Sequence, residues 1–244
     1  MGAWEWAQEA HIGGRDEQQD RSLVLASATG ECCFAVLADG MGGHEGGSQA
    51  AQAVIETAER WWHGNTLDTQ QPDEWLKKVC LDAHAAVHTL RYTPNLDPYT
   101  TIVALYLTPE QAWWIHVGDS RLYQFAQGEL VTRTRDHSYL EVLVDQGLLA
   151  EDAMAQHPRQ NVLLSALGDS DPLQLVHGHA TVVHPVGFVL CSDGLWETVS
   201  VPEMSAALAQ PNLQSATQAL VKVAVERGGT RGDNVSAILV RSIR

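Results

Sequence analysis

The spacing of apolar and polar residues changes its period several times along the chain. Residues 22–28 alternate, residues 32–39 form an apolar run, and turn residues 29–31 separate them, so this region predicts a β-hairpin. From Gly46 onward apolar side chains recur every three to four residues, which predicts an α-helix. The same spacing predicts a second helix over Pro72–Leu90, after a polar loop.

From Thr100 the pattern returns to strands, and two more helices follow. The ranges that predict strands are 100–107, 111–120, 173–183, 187–192 and 234–242, and residues 121–131 predict a hairpin that folds about Gln127-Gly128. The ranges that predict helices are 202–210 and 213–227. Residues 138–166 have a mixed pattern, which predicts a mobile excursion on the surface. Because strands come in runs and helices in pairs, the order favours a layered α+β fold over a doubly wound parallel sheet.

Length and composition narrow the class of protein. With 244 residues, of which 45% are hydrophobic, the chain predicts one domain over residues 1–244. Four cysteines, two of them adjacent, favour reduced thiols over a disulfide framework. No window approaches the roughly 18 consecutive apolar residues of a membrane helix, and the first residues lack the basic-then-apolar order of a secretion signal. We therefore expect a cytoplasmic protein with no membrane contact.

The charge balance is strongly acidic. The chain has 15 Lys and Arg against 30 Asp and Glu, a formal net charge of −15. Such a field opposes nonspecific binding of nucleic acid, which we exclude as a partner. An acidic chain that acts on phosphate needs metal cations to neutralise its site, and this makes the aspartates the residues of interest.

Several aspartates stand where a strand ends or a turn begins. Asp39 lies at the start of the glycine-rich turn in "ADGMGGHEGG", and Asp193 repeats the arrangement in "CSDGLW". The full set is Asp20, Asp39, Asp119, Asp193 and Asp233. If these strand ends converge, the carboxylates repel one another unless cations neutralise them, and oxygen ligands favour Mg²⁺ or Mn²⁺. A plain turn-forming role remains the alternative for Asp119, because "GDSR" also suits a tight turn.

Eight short motifs occur in order along nearly the whole chain. They are "GGRDEQQD", "ADGMGGHEGG", "TTIVALYL", "VGDSRLY", "TRDHS", "NVLLSALG", "LCSDGLWE" and "RGDNVSAILV". Together they resemble the bacterial type-2C, metal-dependent protein Ser/Thr phosphatases of the PPM family. The resemblance implies a four-layer α/β/β/α sandwich, in which two antiparallel sheets are flanked by helix pairs. It also implies hydrolysis of phosphoserine and phosphothreonine in proteins by a water that two metal ions activate. In signalling, such an enzyme reverses the action of a Ser/Thr kinase. Residues 138–166 resemble the flap that lies beside the site in this family. We expect a monomer.

The resemblance also implies a set of metal ligands. Asp20, Asp39, Asp193 and Asp233 match the carboxylates that hold two Mg²⁺ or Mn²⁺ ions, Gly40 matches a ligand that offers its backbone carbonyl, and Asp119 matches the aspartate that, with Asp193, holds a third and weaker ion. Gln18 and Gln19 stand where the family often has Asn-Glu or Asn-Gln, and this departure predicts weaker metal binding.

Two further residues match the phosphate chemistry of the family. Arg15 matches the arginine that binds the substrate phosphate, as the fork of a guanidinium suits phosphate oxygens. Met41 stands where many eukaryotic relatives have histidine, so His44 is the candidate proton donor, with a simple loop histidine as the alternative. Two rival functions remain: a phosphatase of a small-molecule phosphoester, and a catalytically silent binding module of the same fold.

Overall fold

Two five-stranded antiparallel β-sheets pack face to face at the centre of the fold. The computed structural model describes residues 3–42, 46–64, 71–150, 153–154, 157–159, 162–170 and 172–243. Its strands are β1 (Trp4–His11), β2 (Arg21–Ala26), β3 (Cys33–Ala38), β4 (Gly40–Met41), β5 (Tyr99–Thr100), β6 (Ile102–Leu107), β7 (Gln111–Val117), β8 (Arg121–Ala126), β9 (Glu129–Arg133), β10 (Val176–Thr181), β11 (Val186–Cys191) and β12 (Val235–Ser242).

The two sheets have the orders β1-β12-β11-β8-β9 and β10-β7-β6-β3-β2, while β4 and β5 pair with each other. Leu37, Leu105 and Phe188 are buried in the cluster between the sheets. On β3, Phe34 and Val36 belong instead to the cluster beneath the helices, because successive side chains of a strand point to opposite faces. Burial of both faces explains why β3 reads as one continuous apolar run.

Helices cover the outer face of each sheet. They are α1 (Gly46–His63), α2 (Pro72–Leu90), α3 (Tyr139–Asp145), α4 (Asp193–Trp196), α5 (Val201–Leu208) and α6 (Leu213–Gly228). Val54 of α1 and Leu76 of α2 pack in one outer cluster, and Met204 of α5 and Leu220 of α6 pack in the other. The predicted four-layer α/β/β/α sandwich is therefore confirmed. None of the described helices is long and apolar enough to cross a membrane.

The helices begin where the local sequence favours it. Pro72 occupies the first turn of α2, where its missing N–H costs no hydrogen bond, and Asp73 and Glu74 place negative charge at the positive end of the helix dipole. In α5, Ser200 and Glu203 form a reciprocal capping box. These signals explain why the predicted starts of α2 and α5 lie close to the observed ones.

Three elements depart from the sequence prediction, and one of them is β4, which lies within the expected glycine-rich turn. Strand β1 was not predicted, because it lies at the edge of its sheet, pairs only with β12, and buries little beyond Trp4 and Ala7. The short helix α4 begins at Asp193, where only a strand end was expected. Within 138–166 the structure describes α3 and adjoining residues, so the flap-like character of the whole stretch stays a prediction, as does the single domain over 1–244.

Candidate active site

The register of each sheet brings the aspartates to one end of the sandwich. Arg21 of β2 pairs with Ala38 of β3, so Asp20 and Asp39 stand side by side beyond that pair. In the other sheet, Cys191 pairs with Arg121 of β8 and with Ala237 of β12. The residues that follow β11 therefore lie next to those that precede β8 and β12.

Asp20 is held by neutral donors from the opposite sheet. Its side chain is almost fully buried, at 3% exposure, and Ser192 Oγ donates a hydrogen bond to Asp20 Oδ2 at 2.8 Å. Ser192 Oγ in turn accepts from the backbone N–H of Ser236 at 3.0 Å. The other oxygen, Asp20 Oδ1, is buried without a hydrogen-bond partner among the described residues.

The backbone of Asp39 is clamped at the end of β3. Its N–H donates to Thr101 Oγ1 at 2.9 Å, and its carbonyl accepts from Thr101 N–H at 2.9 Å and from Thr100 Oγ1 at 2.8 Å. The next residue, Gly40, lies too close to neighbouring backbone for a side chain, since a Cβ there would come within 2.1 Å of the Gly47 carbonyl oxygen. These contacts leave the Asp39 side chain at the mouth of the strand.

Asp119 lies in the turn between β7 and β8, which two aromatic residues support. Trp196 Nε1 donates to the Asp119 carbonyl at 2.9 Å. His137 donates its N–H to the Gly118 carbonyl at 2.8 Å, and His137 Nδ1 accepts from Gly118 N–H at 3.2 Å. Asp119 is buried, at 8% exposure, and its position is tied to α4 and to the segment before α3.

Arg15 and Asp233 form an ion pair at the rim. Arg15 Nη2 lies 2.6 Å from Asp233 Oδ2, with side-chain exposures of 52% and 32%. Asn234 joins the two segments, because its Nδ2 donates to the carbonyls of Ile12 and Glu17 and its Oδ1 accepts from Gln19 N–H at 2.7 Å. Sequence reasoning missed Asn234, although it stands inside the quoted motif "RGDN".

Most of the predicted residues line one open cavity of about 770 Å³. From the predicted site its wall includes Arg15, Asp39, Gly40, Asp119, Asp193 and Asp233. Asp20 is buried, and the charge of its carboxylate acts on Asp39. Met41 also lines the cavity, whereas His44 falls outside the described residues. Its role as proton donor stays a prediction.

The electrostatics of the cavity disfavour so many bare carboxylates. Burial first, and then the charges of Asp20 and Asp193, raise the pKa of Asp39 well above its ordinary value. Burial followed by the charge of Asp136 raises the pKa of Asp119 to about 7. Burial raises the pKa of Asp20 to about 6 even though the hydrogen bond from Ser192 lowers it. A site of this kind favours either protons or cations.

The donor set fits divalent cations. Asp20 Oδ1 and Asp193 Oδ1 are both buried without a hydrogen-bond partner among the described residues, and ionised carboxylates in such places need a counter-charge. Across the same described ranges, no three His, Cys, Asp or Glu side chains gather closely enough to hold an ion by themselves. Ions bound here would therefore also need the Gly40 carbonyl and water molecules, as Mg²⁺ commonly keeps several waters.

Comparison with known proteins identifies the family. A family model described as protein phosphatase 2C matches residues 7–226. The chain belongs to the protein phosphatase 2C family. Among curated relatives, the serine/threonine phosphatase stp of Listeria welshimeri is 30% identical over 238 residues, which cover 93% of this chain and 88% of that protein. The chain is also 30% identical over 233 residues to PstP of Mycobacterium tuberculosis, but those residues cover only 43% of that longer protein.

Solved structures of the protein phosphatase 2C family share the fold. The serine/threonine phosphatase of S. agalactiae superposes with a TM-score of 0.87 at 29% identity, over 97% of this chain and 98% of that one. The catalytic domain of PstP, solved in complex with two manganese ions, superposes with a TM-score of 0.80 at 26% identity, over 99% of each chain. The predicted family and its phosphatase activity are thereby confirmed, while the roles of single residues stay predictions.

Proposed function

We infer that the chain hydrolyses phosphoserine and phosphothreonine in proteins at the cavity that Asp39, Asp193 and Arg15 line. The observation that carries this proposal is the convergence of partly buried carboxylates with raised pKa values beside an exposed guanidinium. Carboxylates alone would repel a phosphate ester. With divalent cations and an arginine among them, the same cavity attracts one.

Each predicted residue then has a stated task. Asp20, Asp39, Asp193, Asp233 and the carbonyl of Gly40 would hold two ions, Mg²⁺ or Mn²⁺, and Asp119 with Asp193 would hold a third. Bound cations supply Lewis acidity, which lowers the pKa of water close to the phosphorus atom. Arg15 would leave Asp233 and bind the substrate phosphate, since its side chain is half exposed and its guanidinium can donate to two phosphate oxygens at once.

Proton donation to the leaving seryl or threonyl oxygen is the task we assign to His44. The leaving alkoxide is strongly basic, so a donor within hydrogen-bond reach gives a large rate gain. The proposed physiological setting is a cytoplasmic monomer that acts on phosphorylated proteins opposite a Ser/Thr kinase.

The two rival functions make different demands on the site. A phosphatase of small phosphoesters would use the same cations, so only substrate preference separates it from the proposal. A silent binding module would not need four converging carboxylates, and their presence at one cavity favours catalysis.

The deciding experiment measures Mn²⁺-dependent phosphate release from a phosphothreonine peptide, a phosphotyrosine peptide and a nucleotide. We expect activity on the first and little on the others. Asp193→Asn should abolish turnover and weaken Mn²⁺ binding in calorimetry without changing the circular dichroism spectrum. Glu226→Gln removes one carboxylate from the exposed side of α6 and should behave as wild type. Near-normal turnover in Asp193→Asn contradicts the assignment of the metal site.

A further inference from the structure

A smaller cavity adjoins the candidate active site. Its volume is about 210 Å³, and it shares Arg15, Asp193 and Asp233 with the larger cavity. Glu197 after α4 and Arg231 before β12 line the part that the larger cavity lacks. The shared residues make the smaller cavity a side branch of the space in which a phosphorylated side chain would lie.

Arg231 differs from nearby arginines in its contacts. Arg15 pairs with Asp233, and Arg227 pairs with Glu203 at 2.6 Å. Within the part of the chain that the structure describes, no hydrogen bond, ion pair or ring contact involves the side chain of Arg231. Arg231 is also exposed. Arg231 therefore keeps its five N–H donors for a ligand, in a chain whose net charge is −15.

Backbone contacts fix the position of Arg231 relative to Arg15. Gly14 donates its N–H to the Gly232 carbonyl at 2.9 Å. A Cβ on Gly14 would come within 2.4 Å of the Thr230 carbonyl oxygen, so these two backbones lie in direct contact. The segment that carries Arg15 is thus packed onto the turn that carries Arg231, and both side chains reach the same small cavity.

We propose that Arg231 binds an anionic side chain of the substrate beside the phosphorylated residue, so that the enzyme selects phosphopeptides with an acidic or a second phosphorylated neighbour. The inference rests on the proposed function, because Arg15 must hold the scissile phosphate while Arg231 holds the neighbour. A guanidinium fork matches both carboxylate and phosphate oxygens. Asp193 and Asp233 do not oppose such an anion when bound cations neutralise them.

The expected preference is modest and depends on salt. Exposed ion pairs contribute up to about 1 kcal/mol, which corresponds to roughly a fivefold preference in kcat/KM for a peptide with glutamate beside phosphothreonine over one with glutamine. Glu197 lines the same cavity and keeps the effect from being larger. Because exposed charges are screened, the preference should shrink between about 0.02 M and about 0.5 M salt.

The test compares wild type with Arg231→Gln and Arg231→Glu. Lys222→Gln is the control, because it removes one positive charge from the exposed side of α6. The substrates are phosphothreonine peptides that differ only in the neighbouring residue, which is glutamine, glutamate, lysine or phosphoserine. p-Nitrophenyl phosphate, which has no neighbouring residue, serves as reference.

We expect the ratio of kcat/KM for the glutamate over the glutamine peptide to fall to about 1 in Arg231→Gln and to remain as in wild type in Lys222→Gln. Arg231→Glu should prefer the lysine peptide. A preference for phosphoserine alone would identify a phosphate as the preferred anion, and a preference for both neighbours would identify negative charge in general.

Three results would overturn the proposal. The first is that wild type hydrolyses all the peptides at equal rates. The second is that the glutamate-over-glutamine ratio of kcat/KM in Arg231→Gln stays as in wild type. The third is that kcat/KM of Arg231→Gln falls by the same factor on every substrate, as a purely structural role would give. If wild type hydrolyses p-nitrophenyl phosphate and none of the peptides, the proposed function fails first and the selectivity fails with it.

Discussion

Asp136→Asn tests how the protein supports the turn that carries Asp119. Arg121 donates Nε to Asp136 Oδ1 at 2.8 Å and Nη2 to Asp136 Oδ2 at 2.7 Å, with side-chain exposures of 7% and 1%. The guanidinium carbon lies 3.5 Å from the ring centre of Trp196, whose Nε1 donates to the Asp119 carbonyl. The substitution keeps the size of Asp136, removes its charge and replaces one of its two acceptor oxygens with an NH2 donor.

The expected cost is large because the charge of Arg121 stays buried. Breaking a buried ion pair by removing one partner costs about 3–5 kcal/mol. Tyr123 OH lies 3.1 Å from Arg121 Nη1, but a neutral hydroxyl cannot balance a cation. For a domain of this length each kcal/mol corresponds to roughly 2–4 °C in Tm, so the variant should unfold about 6–20 °C below wild type.

Thermal unfolding followed by circular dichroism measures this difference. Asp145→Asn is the matched control, since it removes the exposed one of the two carboxylate partners of Arg135 and should lower the free energy of unfolding by at most about 1 kcal/mol. The double variant Arg121→Met, Asp136→Leu should recover much of the loss, because it removes both charges. A Tm of Asp136→Asn within about 2 °C of wild type would refute the reasoning.

Three further predictions concern the cavity itself. Burial raises the pKa of Asp119 from 3.8 to about 7, so near pH 6 the folded state binds a proton that the unfolded state does not. Without metal, the free energy of unfolding of wild type should therefore rise by about 1 kcal/mol relative to Asp119→Asn as the pH falls from about 8 to about 6, as measured by chemical denaturation. A difference that stays constant with pH would contradict this. Gly13→Ala should weaken Mn²⁺ binding in calorimetry and lower the free energy of unfolding by about 1–3 kcal/mol, because its Cβ would come within 1.9 Å of the Asp233 carbonyl oxygen. Gly147→Ala is the control: this glycine also has a positive φ, but no atom lies within 4 Å of the added Cβ, so Mn²⁺ affinity should not change. His44→Ala should slow phosphothreonine peptides about 10²-fold and p-nitrophenyl phosphate far less, and an equal loss on both would assign His44 a supporting role at the metal ions instead.

The convergence of the aspartates could be predicted because it depends on short-range patterns. Each aspartate stands at the end of a run with a clear strand period, and antiparallel order places such ends together. The glycines after Asp39 and Asp193 also had a local explanation, which the close backbone approach at Gly40 and Gly194 supports. Long helices were predictable for the same reason, since α2 carries its own start signals.

The supporting contacts could not be predicted, because they join residues that only the register brings together. Ser192 and Asp20 are 172 residues apart, and Asn234 and Gln19 are 215 apart. Serine and asparagine are common in loops, and nothing in their local sequence reveals such partners. From the sequence alone, Trp196 resembles an ordinary core aromatic residue. In the structure, its Nε1–H donates a hydrogen bond to the Asp119 carbonyl.

The donors around the buried carboxylates indicate how the site can bind cations strongly and still fold. Asp20 is held by the hydroxyl of Ser192, a neutral donor that fixes its orientation without cancelling its charge. Had a buried arginine held it instead, the carboxylate would be neutralised and its attraction for a metal ion largely lost. The only cation paired with the predicted metal ligands among the described residues is Arg15, on Asp233, and its side chain is half exposed and can leave for a phosphate. Under the proposed function, this arrangement would keep the negative potential for metal ions and the guanidinium for the substrate.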